Sequence, residues 1–364
     1  MIDITKMTDA ELKNEARRLS FDISKYHNYQ LTKKVQLNSA YGAMGNQYFR
    51  FYDIRLAEAV TLSGQLVIQW LARDLNAYLN NLLKTDNVDY VIASDTDSIY
   101  ITLDSLVKQV YKKVPDDKVK VVDLLDKFSE EKLQAVIDKS AKNIKEYFNS
   151  FAQKMVMKRE SIADKAIWTA KKRYMMNVFD SEGVRYETPK LKIQGIEAIK
   201  SSTPEVCRQK IRDSVKIIMT KSQTDLHKYI ADFKKEFQTL PPETVAAPRG
   251  LNTFDKDQTK GMSIHARGAV VYNGLLKTHK LTKKYPQIEE GDKVRFLYLK
   301  LPNIMHSNVI SLTEEGLPKE FNVDRYVDYN VQFEKTFLDP LRIILEAINW
   351  TTQKVYTLDD IFED

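Results

Sequence analysis

Two aspartates, Asp95 and Asp97, interrupt the otherwise apolar, β-rich run 88-VDYVIASDTDSIYITL-103. A carboxylate is costly to bury without a partner, so the pair raises the question of what it binds. Val91, Ile92 and Ala93 precede it and Ile99, Tyr100 and Ile101 follow, a strand–turn–strand pattern. A plain hairpin tip is one account, because Asp is a good turn residue. A calcium loop of the EF-hand kind is excluded: the sixth and twelfth positions from Asp95 are Tyr100 and Leu106, not Gly and Glu. If both arms are strands, the two carboxylates lie close together at a sheet end and repel unless a cation joins them. Mg²⁺ suits that pattern, being a hard ion that takes one or two carboxylates and leaves its other positions to water and phosphate. A pair of such ions about 3.5–4 Å apart clamps an in-line phosphoryl displacement.

A second chemical surface lies in 33-KKVQLNSAYGAMGNQYF-49. Lys34, Asn38, Tyr41 and Gly45 recur at four, three and four residues and share one face of a helix. A solvated face accounts for this pattern. So does a helix presenting Lys34 to a triphosphate as a point charge, with Tyr41 and Gly42 letting a base pair approach closely.

The elements that must position these residues follow from periodicity. The 364 residues are long for one core and suggest two or three domains. Hydrophobic and charged fractions of 43% and 29% rule out low-complexity character, and a net charge of +6 is compatible with a polyanionic partner. The single cysteine, Cys207, excludes an intrachain disulfide and fits a reducing compartment. The five histidines have no metal-ligand spacing. No apolar run reaches the roughly 20 residues a bilayer requires, so no membrane association is expected, and the charged N-terminal segment is unlike a signal peptide. Thr8 and Glu11 form a capping box for a polar helix, followed by a second helix over 24–44. Val60, Val67, Ile68, Leu71, Leu75, Leu79 and Leu82 mark an amphipathic helix over 55–83. A helix over 120–149 comes next, then strands in MVMKRESIAD and IWTAKKRYMMNVFD, with SEGVRY turning into a third. Pro204 opens a different composition: helix over 204–240, a loop-rich 241–268, strands near 269–273 and 293–300, and a helix near 333–348. The class is α+β, helices packed on a small antiparallel sheet.

The order of three segments resembles family B DNA polymerases, in particular the replicative enzymes of T-even-type phages. The helix segment 34-KVQLNSAYG-42 is similar to motif B, 94-SDTDS-98 to motif C, and 171-KKRY-174 to the KxY motif that grips the primer-template. The likeness continues through 181–204, HARGAVVYN at 265–273 and the C-terminal tail, covering essentially the whole chain. It implies a C-terminal part of the fingers at 1–46, palm at 47–203, a mixed, mostly helical thumb at 204–355 and a clamp-binding tail at 356–364. It implies template-directed DNA synthesis with Asp95 and Asp97 as catalytic metal ligands, Asp97 the firmer, and Glu160 as an auxiliary acid. Lys158 stands where the family carries a neighbouring acid, which weakens a direct metal role for that strand. Lys34, Asn38 and Tyr41 would contact the incoming dNTP. Tyr41, Gly42, Lys171, Lys172, Arg173, Tyr174 and Arg267 would contact primer-template DNA, with Lys277 and Lys280 near the last. Leu358, Ile361 and Phe362 would anchor a sliding clamp.

One family feature is missing. The upstream motif A string of DxxSLYPS type does not occur; the FDISKY segment at 21–26 lacks its Leu-Tyr-Pro. Exonuclease DxE signatures and the other fingers helix are also not recognisable. Two carboxylates from one hairpin leave the metals short of ligands, and the palm sheet would expose an unpaired edge. The resemblance therefore implies the C-terminal subunit of a split polymerase, with two Mg²⁺ ions shared with an N-terminal polymerase/exonuclease chain. The initial Met followed by a capped helix fits that expectation, and a phage protein of this kind would act in the host cytoplasm. The rival from another class is a non-catalytic DNA-binding and clamp-tethering subunit.

Overall fold

The computed structural model describes residues 7–111, 113–115, 117–252 and 261–353. They divide into two compact units, 1–158 and 159–364. The class is α+β, as expected from the sequence.

The first unit opens with α1 (Asp9–Met44), a single 36-residue helix where the sequence suggested two. Along its polar stretch Ser20, Ser24 and Thr32 each donate their hydroxyl to the carbonyl four residues back, so these hydroxyls do not turn to other backbone groups that would compete with the helix. Thr8 and Glu11 form the expected capping box. The backbone N–H of Thr8, then its hydroxyl, hold the Glu11 carboxyl below the usual range. No residue of α1 is buried. Leu12, Leu19, Phe21, Ile23, Tyr26 and Leu37 all face solvent.

After a turn through Gly45, α2 (Ile54–Leu83) starts at an Asp53 cap. Leu71, Leu75 and Leu79 form its buried stripe, while Val60 and Leu82 from the same periodicity stay exposed. Leu75 and Leu79 of this stripe pack with Tyr90, Leu133, Ile99, Ile101, Phe128 and Ile137. These come from the hairpin β1 (Val91–Asp95) and β2 (Ser98–Ile101) and from the helical stretch behind it. That stretch begins with α3 (Asp104–Val110) and α4 (Lys118–Phe128). A π-helical turn over Ser129–Leu133 then leads into α5 (Gln134–Tyr147). Ser140 on α5 donates to Asp74 on α2 at 2.6 Å, and Trp70 meets Tyr147 edge to face at 5.4 Å.

The second unit begins with the antiparallel sheet β3 (Ser161–Ala170), β4 (Arg173–Ser181) and β5 (Val184–Gln194). Its strands are offset from the sequence reading: the first starts at Ser161, and a turn at Lys171 and Lys172 divides the run that looked continuous. The helices α6 (Glu205–Thr220) and α7 (Gln223–Phe237) follow, then the short α8 (Pro242–Val245). Next come β6 (Ala247–Gly250), α9 (Ile264–Thr278), β7 (Lys293–Tyr298) and β8 (Val309–Leu312), the three strands pairing in that order. The unit's last helical run is α10 (Tyr329–Phe333), a π-helical turn and α11 (Asp339–Glu346). Residues 269–273, expected as a strand, lie inside α9. The run Ala-Val-Val is β-like by composition, but Ala266, Ala269, Tyr272 and Leu276 bury one helical stripe. Gly268 lets α9 approach β8, because a Cβ there would stand 2.6 Å from Ser311 Oγ.

The compact unit starts at Arg159, upstream of the compositional change at Pro204. The reason is a shared core: Met175, Ile196 and Ala198 pack with Cys207, Ile211, Val215, Phe233, Phe237, Phe337 and Leu341. Burial raises the Cys207 thiol to about 12 despite the nearby Thr336 hydroxyl, so it is inert at neutral pH. Asp180 is wholly buried, bonded to Arg159 and 3.0 Å from Arg185 Nε.

These burials set a contrast that can be measured. Leu75→Ala removes a side chain 1% exposed and is expected to destabilise its unit by about 2–5 kcal/mol in urea unfolding. Leu37→Ala, at a position 73% exposed, should change the stability of the isolated chain by no more than about 0.5 kcal/mol.

Candidate functional site

The hairpin carrying the two aspartates is held from below by two asparagines of α2. Asn76 Oδ1 accepts from the N–H of Tyr90 at 2.8 Å and of Val91 at 3.2 Å, and its amide donates to Asp89 at 2.7 Å. One turn on, Asn80 accepts from the N–H of Val88 at 2.9 Å and donates to its carbonyl at 2.7 Å. Backbone groups entering the strand are thereby satisfied without a neighbouring strand. Tyr90, 2% exposed, seats the same segment in the apolar cluster beneath.

At the tip, Asp95 pairs with Ser98 across a two-residue turn of Thr96 and Asp97. The N–H of Asp97 donates to the Asp95 carbonyl at 2.7 Å, and Thr96 between them has φ 55°. An i to i+2 hydrogen bond around a residue of positive φ is the rare, strained form of γ-turn. For a β-branched residue that strain is of order 1–3 kcal/mol, and such strain clusters at functional sites. Asp95 is half-buried and takes the Thr96 hydroxyl at 3.0 Å, while Asp97 is exposed. The donor set is hard oxygen, suited to Mg²⁺ or a similar ion. Among the described residues no group of three or more His, Cys, Asp or Glu is placed to hold a metal. The hairpin offers two ligands and fits a divalent ion only as part of a larger cage.

Lys34, Asn38, Tyr41 and Gly42 are all exposed on the last turns of α1. A Cβ added at Gly42 would meet nothing within 4 Å.

In the second unit, Lys171 and Lys172 form the exposed turn between β3 and β4, with Lys172 at φ 60°. Their two neighbours are engaged within the unit. Arg173 Nη2 donates to both oxygens of Glu197, at 2.7 and 2.6 Å, and Lys200 Nζ donates to the same carboxylate at 3.0 Å. Burial works to raise the Glu197 carboxyl; the Lys200 hydrogen bond, its own backbone N–H and the Arg173 charge outweigh it and hold the group below the usual range. Tyr174 is 7% exposed and stacks on Trp168 at 5.8 Å. Glu160 is exposed and 3.5 Å from Lys192. Arg267, half-buried on α9, reaches Asn308 at 3.4 Å, and Lys277 and Lys280 are exposed at the far end of that helix. Leu358, Ile361 and Phe362 lie outside the described residues.

The family model for DNA polymerase family B matches residues 2–346. The chain belongs to that family. This family B chain is 36% identical over 350 residues to the DNA-directed DNA polymerase of Escherichia phage RB69. It is 33% identical over 349 residues to the DNA-directed DNA polymerase of Enterobacteria phage T4. Each match covers 92% of this chain and 38% of the relative, so the chain spans well under half the length of either. No helix among the described residues of the family B chain is long and apolar enough to cross a membrane.

The asparagine staple escaped the sequence reading, as did Glu197, since neither carries a spacing signature. Asn76→Ala strands the N–H of Tyr90 and leaves that of Val91 with only Asp89 Oδ1, at 3.0 Å; it is expected to cost about 1–3 kcal/mol in urea unfolding and to speed amide exchange, most of all at Tyr90. An unfolding midpoint and exchange rates equal to those of the parent chain would remove the staple from the account.

Proposed function

We propose that this chain supplies the motif B fingers helix, most of the palm and the thumb of a replicative DNA polymerase. On this reading it extends a primer 3′ end with deoxynucleotides as the C-terminal subunit of a split enzyme, together with an N-terminal chain that brings motif A and the exonuclease. The observation that carries the reading is the acidic γ-turn: two carboxylates, one exposed, at the tip of a hairpin stapled to a helix.

Asp95 and Asp97 would hold divalent ions, Mg²⁺ by donor chemistry, with Glu160 auxiliary and the remaining ligands given by the partner and the dNTP phosphates. Bound there, the ions supply an activated primer hydroxyl and neutralise charge on the transferring phosphate. The chain's own side chains do the rest. Lys34 meets the triphosphate as a point charge, and Asn38 adds a polar contact on the same helical face. Tyr41 lies against the nascent base pair, and Gly42 leaves room at its edge. Lys171 and Lys172 contact backbone phosphates of the primer-template, which positions duplex without reading its sequence. Arg267, Lys277 and Lys280 extend that phosphate contact in the thumb, and residues 356–364 tether a sliding clamp through Leu358, Ile361 and Phe362.

The need for a partner is supported by the two-ligand hairpin and by α1, whose exposed apolar side chains along 36 residues suit burial against another helix. A phage protein of this kind works in the host cytoplasm.

The decisive experiment is primer extension. The chain alone is expected to incorporate no nucleotide, and addition of the N-terminal polypeptide to restore synthesis. Asp97→Ala should then abolish extension in the complex while duplex binding persists; turnover at the parent rate would exclude the metal role, and robust synthesis by the single chain would exclude the split arrangement.

Gly42→Ala separates folding from function. Among the described residues nothing lies within 4 Å of the added methyl, and alanine should stabilise α1 by about 0.5–1 kcal/mol. Extension by the complex should nonetheless slow by at least about tenfold, an effect of about 1.4 kcal/mol on the barrier. An unchanged rate would remove the base pair from that position.

A further inference from the structure

Gly195 follows the last rung of the β4–β5 ladder, where Tyr174 pairs with Gln194. Its φ is 65°, and a Cβ placed there would stand 2.1 Å from the Lys172 carbonyl oxygen, 3.2 Å from the Lys172 carbonyl carbon and 3.3 Å from Arg173 Cγ. The missing side chain is therefore the space into which the backbone of the β3–β4 turn fits. No side chain but hydrogen is compatible with both the left-handed backbone and that contact.

Which of the two segments would yield is decided by their anchoring. Ile196 is 1% exposed and Ala198 wholly buried, both in the main core of the unit. Between them Glu197 binds Arg173 through both carboxylate oxygens. Residues 195–198 are thus fixed on alternate sides, by packing and by a charge-assisted fork. The turn of Lys171 and Lys172 is an exposed hairpin tip, and Lys172 already sits at φ 60°. A clash would displace the tip. Arg173, with its guanidinium committed to Glu197, serves as the strut that keeps the tip seated on residue 195.

We propose that Gly195 is a positioning residue for primer-template binding: it seats the Lys172 carbonyl and so fixes the direction in which Lys171 and Lys172 present their ammonium groups to DNA phosphates. The inference rests on the reading of that turn as a duplex contact, and it adds a residue outside the turn that sets its geometry. Gly183 supplies the control. It lies in the turn between β4 and β5 of the same sheet at φ 86°, with nothing within 4 Å of an added Cβ. Alanine at either position meets an unfavourable backbone, but only at 195 does it push on the lysine turn.

The test is equilibrium binding of the full chain to a fluorescent primer-template duplex across a salt series. Each phosphate contact contributes about 0.9 to the slope of log affinity against log salt. Gly195→Ala is expected to weaken binding roughly tenfold at moderate salt and to lower the slope by about 1–2, as Lys171→Ala/Lys172→Gly does. Gly183→Ala should leave affinity and slope at the parent values. Adding Gly195→Ala to Lys171→Ala/Lys172→Gly should change neither affinity nor slope further, since the groups it positions are gone; this combination also carries a glycine at 172 that lets the turn adjust, so it reports even where the single variant does not fold. Parent-like binding by Gly195→Ala alongside a weakened lysine variant overturns the proposal, as does a further loss in the combined variant. Parent-like binding by the lysine variant itself would strike the duplex reading of the turn, and the positioning role would fall with it.

Discussion

Two carboxylates separated by one residue repel each other, and a hairpin tip that carries them folds only where something else holds its arms. In this chain that is done from the strand's entrance rather than its tip. Asn76 and Asn80 lie one turn apart on α2 and take up the backbone groups of Val88, Tyr90 and Val91. The Leu71–Leu75–Leu79 stripe holds that same helix in its core. Amide-to-backbone bonds suit this task because they act directly on the backbone of the entering strand and their net worth, about 1 kcal/mol each, is matched by the cost of leaving them unmade. The strain at Thr96 is therefore offset several residues away. At the tip Asp95 is held by the Thr96 hydroxyl while Asp97 stays exposed.

The two long helices show the same economy from opposite sides. α2 buries a stripe over its second half, and its first half, with Leu56, Val60 and Leu62 exposed, buries little. α1 buries nothing, yet its length, its capping box and the Arg18 bridges to Glu15 and Asp22 keep it helical. Intrinsic propensity and surface ion pairs supply only tenths of a kcal/mol each, and helices in proteins draw most of their stability from packing. A helix of this length with Phe21, Ile23 and Leu37 more than half exposed keeps apolar surface that its own unit does not bury, and that surface is one ground for the proposed partner.

What the sequence could reveal follows from whether each signal is local. The aspartate pair was legible because charge in an apolar, β-rich run is anomalous on its face. The core stripe of α2 was legible because its spacing is periodic. The Val60 end was not, since periodicity marks an apolar face without saying whether anything covers it. The strand assigned to 269–273 failed because two valines speak for β locally, while the Gly268 approach to Ser311 that favours a packed helix is a contact over forty residues away in sequence. The turn at Lys171 and Lys172 carried no Gly, Asn or Pro to mark it, and its left-handed residue is a lysine. The asparagine staple was hidden for another reason: its partners are backbone groups, which every residue possesses. Among the four residues of KKRY, sequence alone could not separate the two that face solvent from Arg173, tied to Glu197, and Tyr174, stacked on Trp168.

Gly42 and Gly195 mark the two ways a missing side chain can matter. At 195 the requirement is internal, because a methyl group would collide with the Lys172 carbonyl of the same chain. At 42 the chain makes no such demand; the position is helical, exposed and open, and alanine would serve the helix better. Among the described residues nothing approaches the bare backbone at 42, which is why the role proposed for it is exerted on a bound base pair. The same asymmetry separates the lysine turn from the acidic turn. The first is shaped by contacts within its own unit, from Gly195 and Glu197, whereas the second has the backbone of its entering strand fixed by Asn76 and Asn80 while Asp97 stays exposed.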